Sequence, residues 1–239
     1  MLYIVGTPIG NFEDISLRAL RILGEVDFIL CEDTRVTGKL LAKYDIKTPT
    51  ISYHQHSKFG KTEYVLDLLG QGKNLALVSD AGTPGISDPG GRLVQAVTEK
   101  FGSQVKIESV PGPSAVTAAL SISGIPTDKF AFLGFLPHKK GRQTALRKIV
   151  KAEYPVVIYE SKYRILKLLD ELEKMGKRAE EGEKGREGKK SKKLTSIVVC
   201  RELSKMHETV YRGEIKDIKE KIKDSKDDQK GEFVVIIGK

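Results

Sequence analysis

The chain has 239 residues, with 41 Lys+Arg against 32 Asp+Glu and a formal net charge of +9. That length suits one large domain or two small ones, and an apolar share of 39% is enough for a core. The positive excess favours an anionic partner such as nucleic acid, although added lysine also serves solubility. Tryptophan is absent and aromatics are 7%, so a platform stacking many bases in a row is not evident. Cys31 and Cys200 each close an apolar run. Their spacing fits neither a disulfide framework nor a zinc site, which points to reduced thiols in a cytoplasmic protein. No secretory signal is read at the start, and no apolar run approaches membrane-spanning length.

In chain order, Leu2–Val5 reads as a strand that runs into Gly6-Thr7-Pro8-Ile9-Gly10-Asn11. Residues 14–23 place Ile15, Ala19, Ile22 and Leu23 at helical spacing, with Gly24 as a stop. Residues 26–31 form the next strand, ending in Glu32-Asp33-Thr34-Arg35, and residues 36–44 look helical. A short strand at 50–53 precedes His54-Gln55-His56; a helix at 61–69 and a strand at 74–79 follow. Residues 91–101 are helical and 106–110 are a strand. This alternation predicts an α/β fold with a mainly parallel sheet and helices on both faces.

A second unit follows Val110-Pro111-Gly112-Pro113, so the predicted division is 1–112 and 113–239. It opens on a helix of small residues at 114–123. A strand at 130–135, a basic helix at 141–151, a strand at 156–159 and a helical stripe of Ile165, Leu168, Leu169 and Leu172 come next. Residues 176–193 lack any large apolar side chain and read as a disordered surface loop. Strands at 196–200, 208–212 and 232–237 and a charged helix at 215–223 complete the chain.

The richest loop is Ser79-Asp80-Ala81-Gly82-Thr83-Pro84-Gly85-Ile86-Ser87-Asp88-Pro89-Gly90-Gly91. Two prolines and four glycines cannot extend the apolar strand before them. In an open α/β sheet, a loop that follows a strand sits at the carboxyl edge, where ligands bind. The small residues let a ligand reach main chain, and Asp80 and Asp88 are acceptors; the bland alternative is a stiff connection. Gly6-x-x-x-Gly10 matches neither G-x-x-x-x-G-K-[ST] nor G-x-G-x-x-G, which leaves a nucleotide triphosphatase poorly supported. His54 and His56 lack a matching Cys/His cluster, so no metal is assigned.

Seven segments, in order, resemble the tetrapyrrole methylase family. They are residues 2–11, Cys31-Glu32-Asp33-Thr34-Arg35, Ser79-Asp80-Ala81-Gly82-Thr83-Pro84, Ser87-Asp88-Pro89-Gly90, Val110-Pro111-Gly112-Pro113-Ser114-Ala115, Gly134-Phe135-Leu136-Pro137 and Tyr159-Glu160-Ser161. Within the family they look most like the branch that 2′-O-methylates a cytidine of small-subunit ribosomal RNA with S-adenosylmethionine. The chain departs from that pattern at 176–193 and at Ser204, where threonine is expected. The resemblance implies two α/β domains with a cofactor cleft between them, and a homodimer. It implies that Pro8 and Ile9, Ser79, Asp80, Ala81, Gly82 and Thr83, Ser114 and Ala115, and Tyr159 and Arg201 bind the cofactor.

For the implied reaction, a base must take the 2′-hydroxyl proton, or cations must stabilise the alkoxide. Asp33, Glu160 and Glu202 are the candidate acids, and Arg35, Lys162, Arg201 and Lys205 the cations; each follows a predicted strand end. Asp33 with Arg35 ranks first, because acid and cation follow one strand together. The bland reading of each is a surface ion pair. Lys139, Lys140, Arg142, Arg147, Lys148, Lys162 and Arg164 are expected to meet RNA phosphates, or to form the wet face of a helix. A tetrapyrrole C-methyltransferase and a non-catalytic RNA-binding assembly factor are the alternative functions.

Overall fold

The computed structural model describes residues 1–54, 59–88, 90–182 and 196–238. The chain divides into two compact units, Met1–Ser114 and Ala115–Lys239.

The first unit holds strands β1 (Leu2–Val5), β2 (Phe28–Cys31), β3 (Thr50–Ser52), β4 (Leu75–Leu77) and β5 (Ile107–Val110). They form one parallel sheet in the order β3-β2-β4-β1-β5. Helices α1 (Leu17–Glu25), α2 (Thr34–Lys43), α3 (Phe59–Gly70) and α4 (Gly90–Phe101) make the crossovers. Strand periodicity sorts side chains to two cores. Ile29, Cys31, Ala76 and Val78 pack with Ala19, Ile22 and Leu23 of α1 and Leu40 and Leu41 of α2. Leu30, Leu75 and Leu77 pack with Val65, Leu66 and Leu69 of α3 and Leu93 and Val97 of α4. Each fully buried Leu or Ile contributes about 1.5–3 kcal/mol, so these stripes outweigh the modest helix propensities.

The first helix begins later than its apolar spacing predicts. Phe12–Asp14 is a separate 3-10 turn, and Ser16 caps α1 by accepting from the Ala19 N–H at 3.1 Å. An accepting Ser at this position satisfies one of the helix's open donors and so fixes where it begins.

The second unit holds β6 (Ala131–Phe135), β7 (Val156–Ser161), β8 (Ser196–Arg201), β9 (Thr209–Gly213) and β10 (Glu232–Gly238), in the order β6-β7-β10-β8-β9. β6 and β7 are parallel; β10 runs antiparallel to β7 and β8, and β9 to β8. The ends of β6, β7 and β8 therefore share one edge with the start of β10. Helices α6 (Arg142–Lys151), α7 (Ile165–Gly182) and α8 (Ile215–Asp224) join one core with Ile158, Val199 and Val235. Helix α5 (Ala115–Ser123) packs on β10.

The loop predicted from residue 176 is corrected by α7, which continues to Gly182. Lys and Glu are good helix formers, and Lys177 pairs with Glu173 one turn back at 2.8 Å. The rest of that predicted loop lies outside the described residues, as does His56. Among the described residues no cluster of three His, Cys, Asp or Glu is arranged to hold a metal, and no helix is long and apolar enough to cross a membrane. Cys31 and Cys200 are buried free thiols, one in each unit.

Candidate active site

The carboxyl edge of the first sheet gathers the loops after β1, β2 and β4. The helices that follow β1 and β2 lie on one face, and the helix that follows β4 lies on the other. The β4 loop thus emerges between neighbours whose chains turn the opposite way, the crevice where open α/β sheets hold ligands.

Main chain knits these loops together. Thr7 and Gly82 exchange both backbone hydrogen bonds, at 2.9 and 3.1 Å. The buried Thr7 hydroxyl donates to the Ser79 carbonyl at 3.1 Å, and the Ser79 hydroxyl donates to the Ala81 carbonyl at 3.2 Å. The Thr83 hydroxyl donates to the Pro113 carbonyl at 3.1 Å, joining this loop to the segment after β5. Gly82 has φ of +84°, a conformation costly to other residues, and a Cβ there would stand 3.4 Å from Ile9. Further on, Asp88 Oδ1 accepts from the N–H groups of Gly85 and Gly90 at 2.6 and 2.8 Å. Asp88 is thereby the organiser of its turn.

Of the sequence-predicted cofactor residues in this unit, Ile9, Ser79, Asp80, Ala81, Gly82 and Thr83 meet in this cluster. Pro8 is buried beside them, while Asp80 and Ala81 are exposed. Asp80 Oδ1 accepts from the Asp33 N–H at 3.1 Å, which ties the β2 loop to the β4 loop. Asp80 and Ala81, the exposed residues of this cluster, suit a polar ligand that carries hydroxyl or ammonium groups.

Asp33 and Arg35 do stand together, but their geometry is that of a helix cap. Asp33 accepts from the Arg35 N–H at 2.8 Å and pairs with its guanidinium at 2.6 Å. The Arg35 side chain and its N–H draw the Asp33 carboxyl down to about 2, which makes it a weak base. Sequence reasoning passed over its neighbour Glu32. Burial pushes the Glu32 carboxyl up, the Asp80 and Asp88 carboxylates push the same way, and the Asp80 N–H opposes them. The signal was the adjacent acid pair itself; which of the two faces the interior is not written in residue type.

In the second unit Tyr159 lies edge-on to Phe132 and Phe135, with centroids 4.9 and 5.5 Å away. Burial raises its phenol, while the Val116 N–H of α5 donates to it. Ala115, at the start of α5, is partly exposed, as is Ser114 just before it.

Three predicted roles meet an interior instead of a surface. Glu160 is 1% exposed and pairs with Arg164 at 2.7 Å and with Arg142 at 3.6 Å. Arg142, expected at RNA phosphates, is 3% exposed and also held by Glu171 at 2.8 Å. Arg164 is mostly buried and donates to the Leu136 carbonyl at 3.0 Å. Such charges persist inside only as a mutually paired set, which leaves Glu160 no access to a substrate proton and Arg142 none to a phosphate. Arg201 is likewise 5% exposed and donates to the carbonyls of Lys230 and His207 at 2.8 and 3.0 Å. It latches the segment before β10, and Glu202 beside it accepts from the Glu232 N–H and from Lys205, at 2.8 and 2.9 Å. Lys139, Lys140, Arg147 and Lys162 are exposed.

Comparison with known proteins agrees with this architecture. The model of the tetrapyrrole (corrin/porphyrin) methylases matches residues 1–219. A ribosomal RNA small subunit methyltransferase I of Synechocystis is 42% identical, over 99% of this chain and 78% of that protein. Its namesake in Thermotoga maritima is 41% identical, over 90% of this chain and 89% of that protein. Among solved structures, a cobalt precorrin-4 methyltransferase superposes with a TM-score of 0.68 at 18% identity, covering 99% of this chain and 94% of that one. A uroporphyrin-III-C-methyltransferase from Thermus thermophilus superposes at 0.62 with 18% identity, covering 99% and 93%. With a family model spanning nearly the whole chain and relatives above 40% identity, the chain belongs to the tetrapyrrole methylases.

Proposed function

We propose that this chain is an S-adenosylmethionine-dependent methyltransferase that modifies the ribose 2′-hydroxyl of a cytidine in small-subunit ribosomal RNA, working in the cytoplasm as a homodimer. The observation that carries the reading is the identity above 40%, over nearly the whole chain, with relatives named for ribosomal RNA. The solved tetrapyrrole enzymes share the fold at 18% identity, a level that does not extend to the substrate. A net charge of +9 also suits RNA better than a porphyrinogen.

The loops after β1 and β4 are the proposed seat of the cofactor. Exposed Ala81 is proposed to present its main chain, with Ser79, Gly82 and Thr83 shaping the loop around it, and Asp80 to accept from a hydroxyl or an ammonium group. Pro8 and Ile9, together with Ser114, Ala115 and Tyr159, are proposed as further cofactor contacts. The sulfonium supplies the methyl group together with its own leaving group. The protein's work is to hold the 2′-oxygen in line with that carbon, and orientation of this kind can supply up to about 7–11 kcal/mol. Glu32 replaces Asp33 as the proposed acceptor of the hydroxyl proton, because its carboxyl is raised while that of Asp33 lies at about 2. Arg35, with its exposed guanidinium beside Asp33, is the proposed cation near the developing alkoxide.

Transfer of tritiated methyl to small-subunit RNA, with none to a porphyrinogen, tests the assignment, and mass mapping of the product locates the nucleotide. Transfer to the porphyrinogen alone overturns it. Calorimetry that finds no cofactor binding at all would instead mark a non-catalytic RNA-binding factor.

A further inference from the structure

The turn after β7, Ser161-Lys162-Tyr163-Arg164, carries an aromatic ring that the fold does not use. Tyr163 is 84% exposed, and its ring is capped on one side by the Lys162 ammonium at 5.1 Å. The turn itself is firmly held. The Arg164 N–H donates to the Ser161 carbonyl at 3.0 Å, and Glu160 Oε1 accepts from the Ser161 N–H at 2.8 Å. Beside it runs the loop after β6, because β6 and β7 are parallel neighbours with Phe135 opposite Tyr159.

The buried charge cluster fastens this loop to the turn. Arg164 donates to the Leu136 carbonyl at 3.0 Å, and Arg142 donates to that of Pro137 at 3.3 Å; both guanidiniums pair with Glu160. The loop then exposes His138, Lys139 and Lys140. Neither residues 136–142 nor residues 161–164 include a carboxylate. An exposed ring among lysines, on a backbone fixed from beneath, matches the stacking-plus-phosphate pattern by which proteins hold unpaired nucleotides.

Resting on the RNA-methyltransferase reading, we propose that Tyr163 stacks on a base of single-stranded RNA while Lys139, Lys140 and Lys162 contact the flanking phosphates. The Arg142–Glu160–Arg164 cluster positions the two loops that present these groups and does not itself touch RNA.

Fluorescence anisotropy with the full chain and a labelled single-stranded RNA of mixed sequence tests this, with polyphosphate as a competitor that has charge but no bases. Tyr163→Ala is expected to weaken RNA binding about tenfold and Tyr163→Phe to stay within about twofold, since the ring alone does the stacking. Lys162→Ala should make the salt dependence shallower by about one unit of slope, which Tyr163→Ala should not do. Polyphosphate affinity should be unmoved by Tyr163→Ala. Unaltered RNA affinity in Tyr163→Ala, or an equal loss of polyphosphate affinity, overturns the stacking role and leaves the methyl-transfer reading standing. No RNA binding by the unsubstituted protein overturns both.

Discussion

Gly6 and Gly112 lie backbone against backbone. A Cβ built on Gly6 would fall 2.8 Å from Gly112 Cα, and one built on Gly112 would fall 2.8 Å from the Gly6 carbonyl oxygen. With the Gly6 N–H donating to the Val110 carbonyl at 3.1 Å, the ends of β1 and β5 close to a separation that no side chain permits. Gly6→Ala or Gly112→Ala should therefore push the two ends apart and destabilise the protein by about 1–3 kcal/mol, the usual range for overpacking. Urea unfolding followed by circular dichroism measures this, and cofactor affinity should fall alongside, because Thr7 begins the loop held to Gly82.

Asp80 carries a second prediction. Asp80→Ala removes the acceptor for the Asp33 N–H and the carboxylate offered to the cofactor, so affinity for S-adenosylmethionine should drop about tenfold or more. Asp80→Asn keeps an oxygen for the N–H and should recover part of the loss. Isothermal calorimetry separates the two variants; equal affinity in Asp80→Ala and the unsubstituted protein would refute the placement of the cofactor.

If Glu32 accepts the proton, Glu32→Gln should reduce the methyl-transfer rate by about 10²–10⁴-fold with little change in cofactor affinity. Asp33→Ala should act mainly through the α2 cap, as a modest loss of stability with the transfer rate kept. Single-turnover transfer to small-subunit RNA distinguishes a lost base from a frayed helix.

The acid limb of stability should report on α7 and α8. Hydrogen bonds from Lys177 and Lys219 draw the Glu173 carboxyl down to about 2, from an ordinary value of 4.5. A depressed acid stabilises the fold above its unfolded pKa and loses that contribution as pH falls through the folded one. The contribution should thus fade between about pH 4.5 and pH 2, and Lys219→Met should flatten the melting-temperature profile over that window.

Glu160→Gln is expected to cost about 3 kcal/mol, because it strips the shared counter-charge from two buried guanidiniums. The urea midpoint is the measurement. A surface ion pair would lose less than about 1 kcal/mol, so the size of the shift discriminates between the two environments.

Much of this was legible in the residues. The apolar runs at Leu2–Val5 and Phe28–Cys31 announce strands, and Ile22-Leu23 beside Ala19 announces the buried stripe of α1. The glycine- and proline-rich stretch from Ser79 could not be anything but an edge loop. The fate of the arginines was not legible. Arg142 sits in a basic run that looks wet, yet its partner Glu171 lies 29 residues ahead on a different helix. Side-chain type gives charge, and only the closed fold gives the counter-charge. The same limit hid Glu32, whose carboxyl is raised first by burial and then by Asp80 and Asp88 from another strand's loop.

The two buried thiols turn the protein into its own clock. Cys31 belongs to the first unit and Cys200 to the second; burial raises both, Cys200 to about 11, so neither reacts readily while its sheet is intact. Timed alkylation followed by peptide mass analysis would then register the opening of each half separately, on the native chain and without an added label.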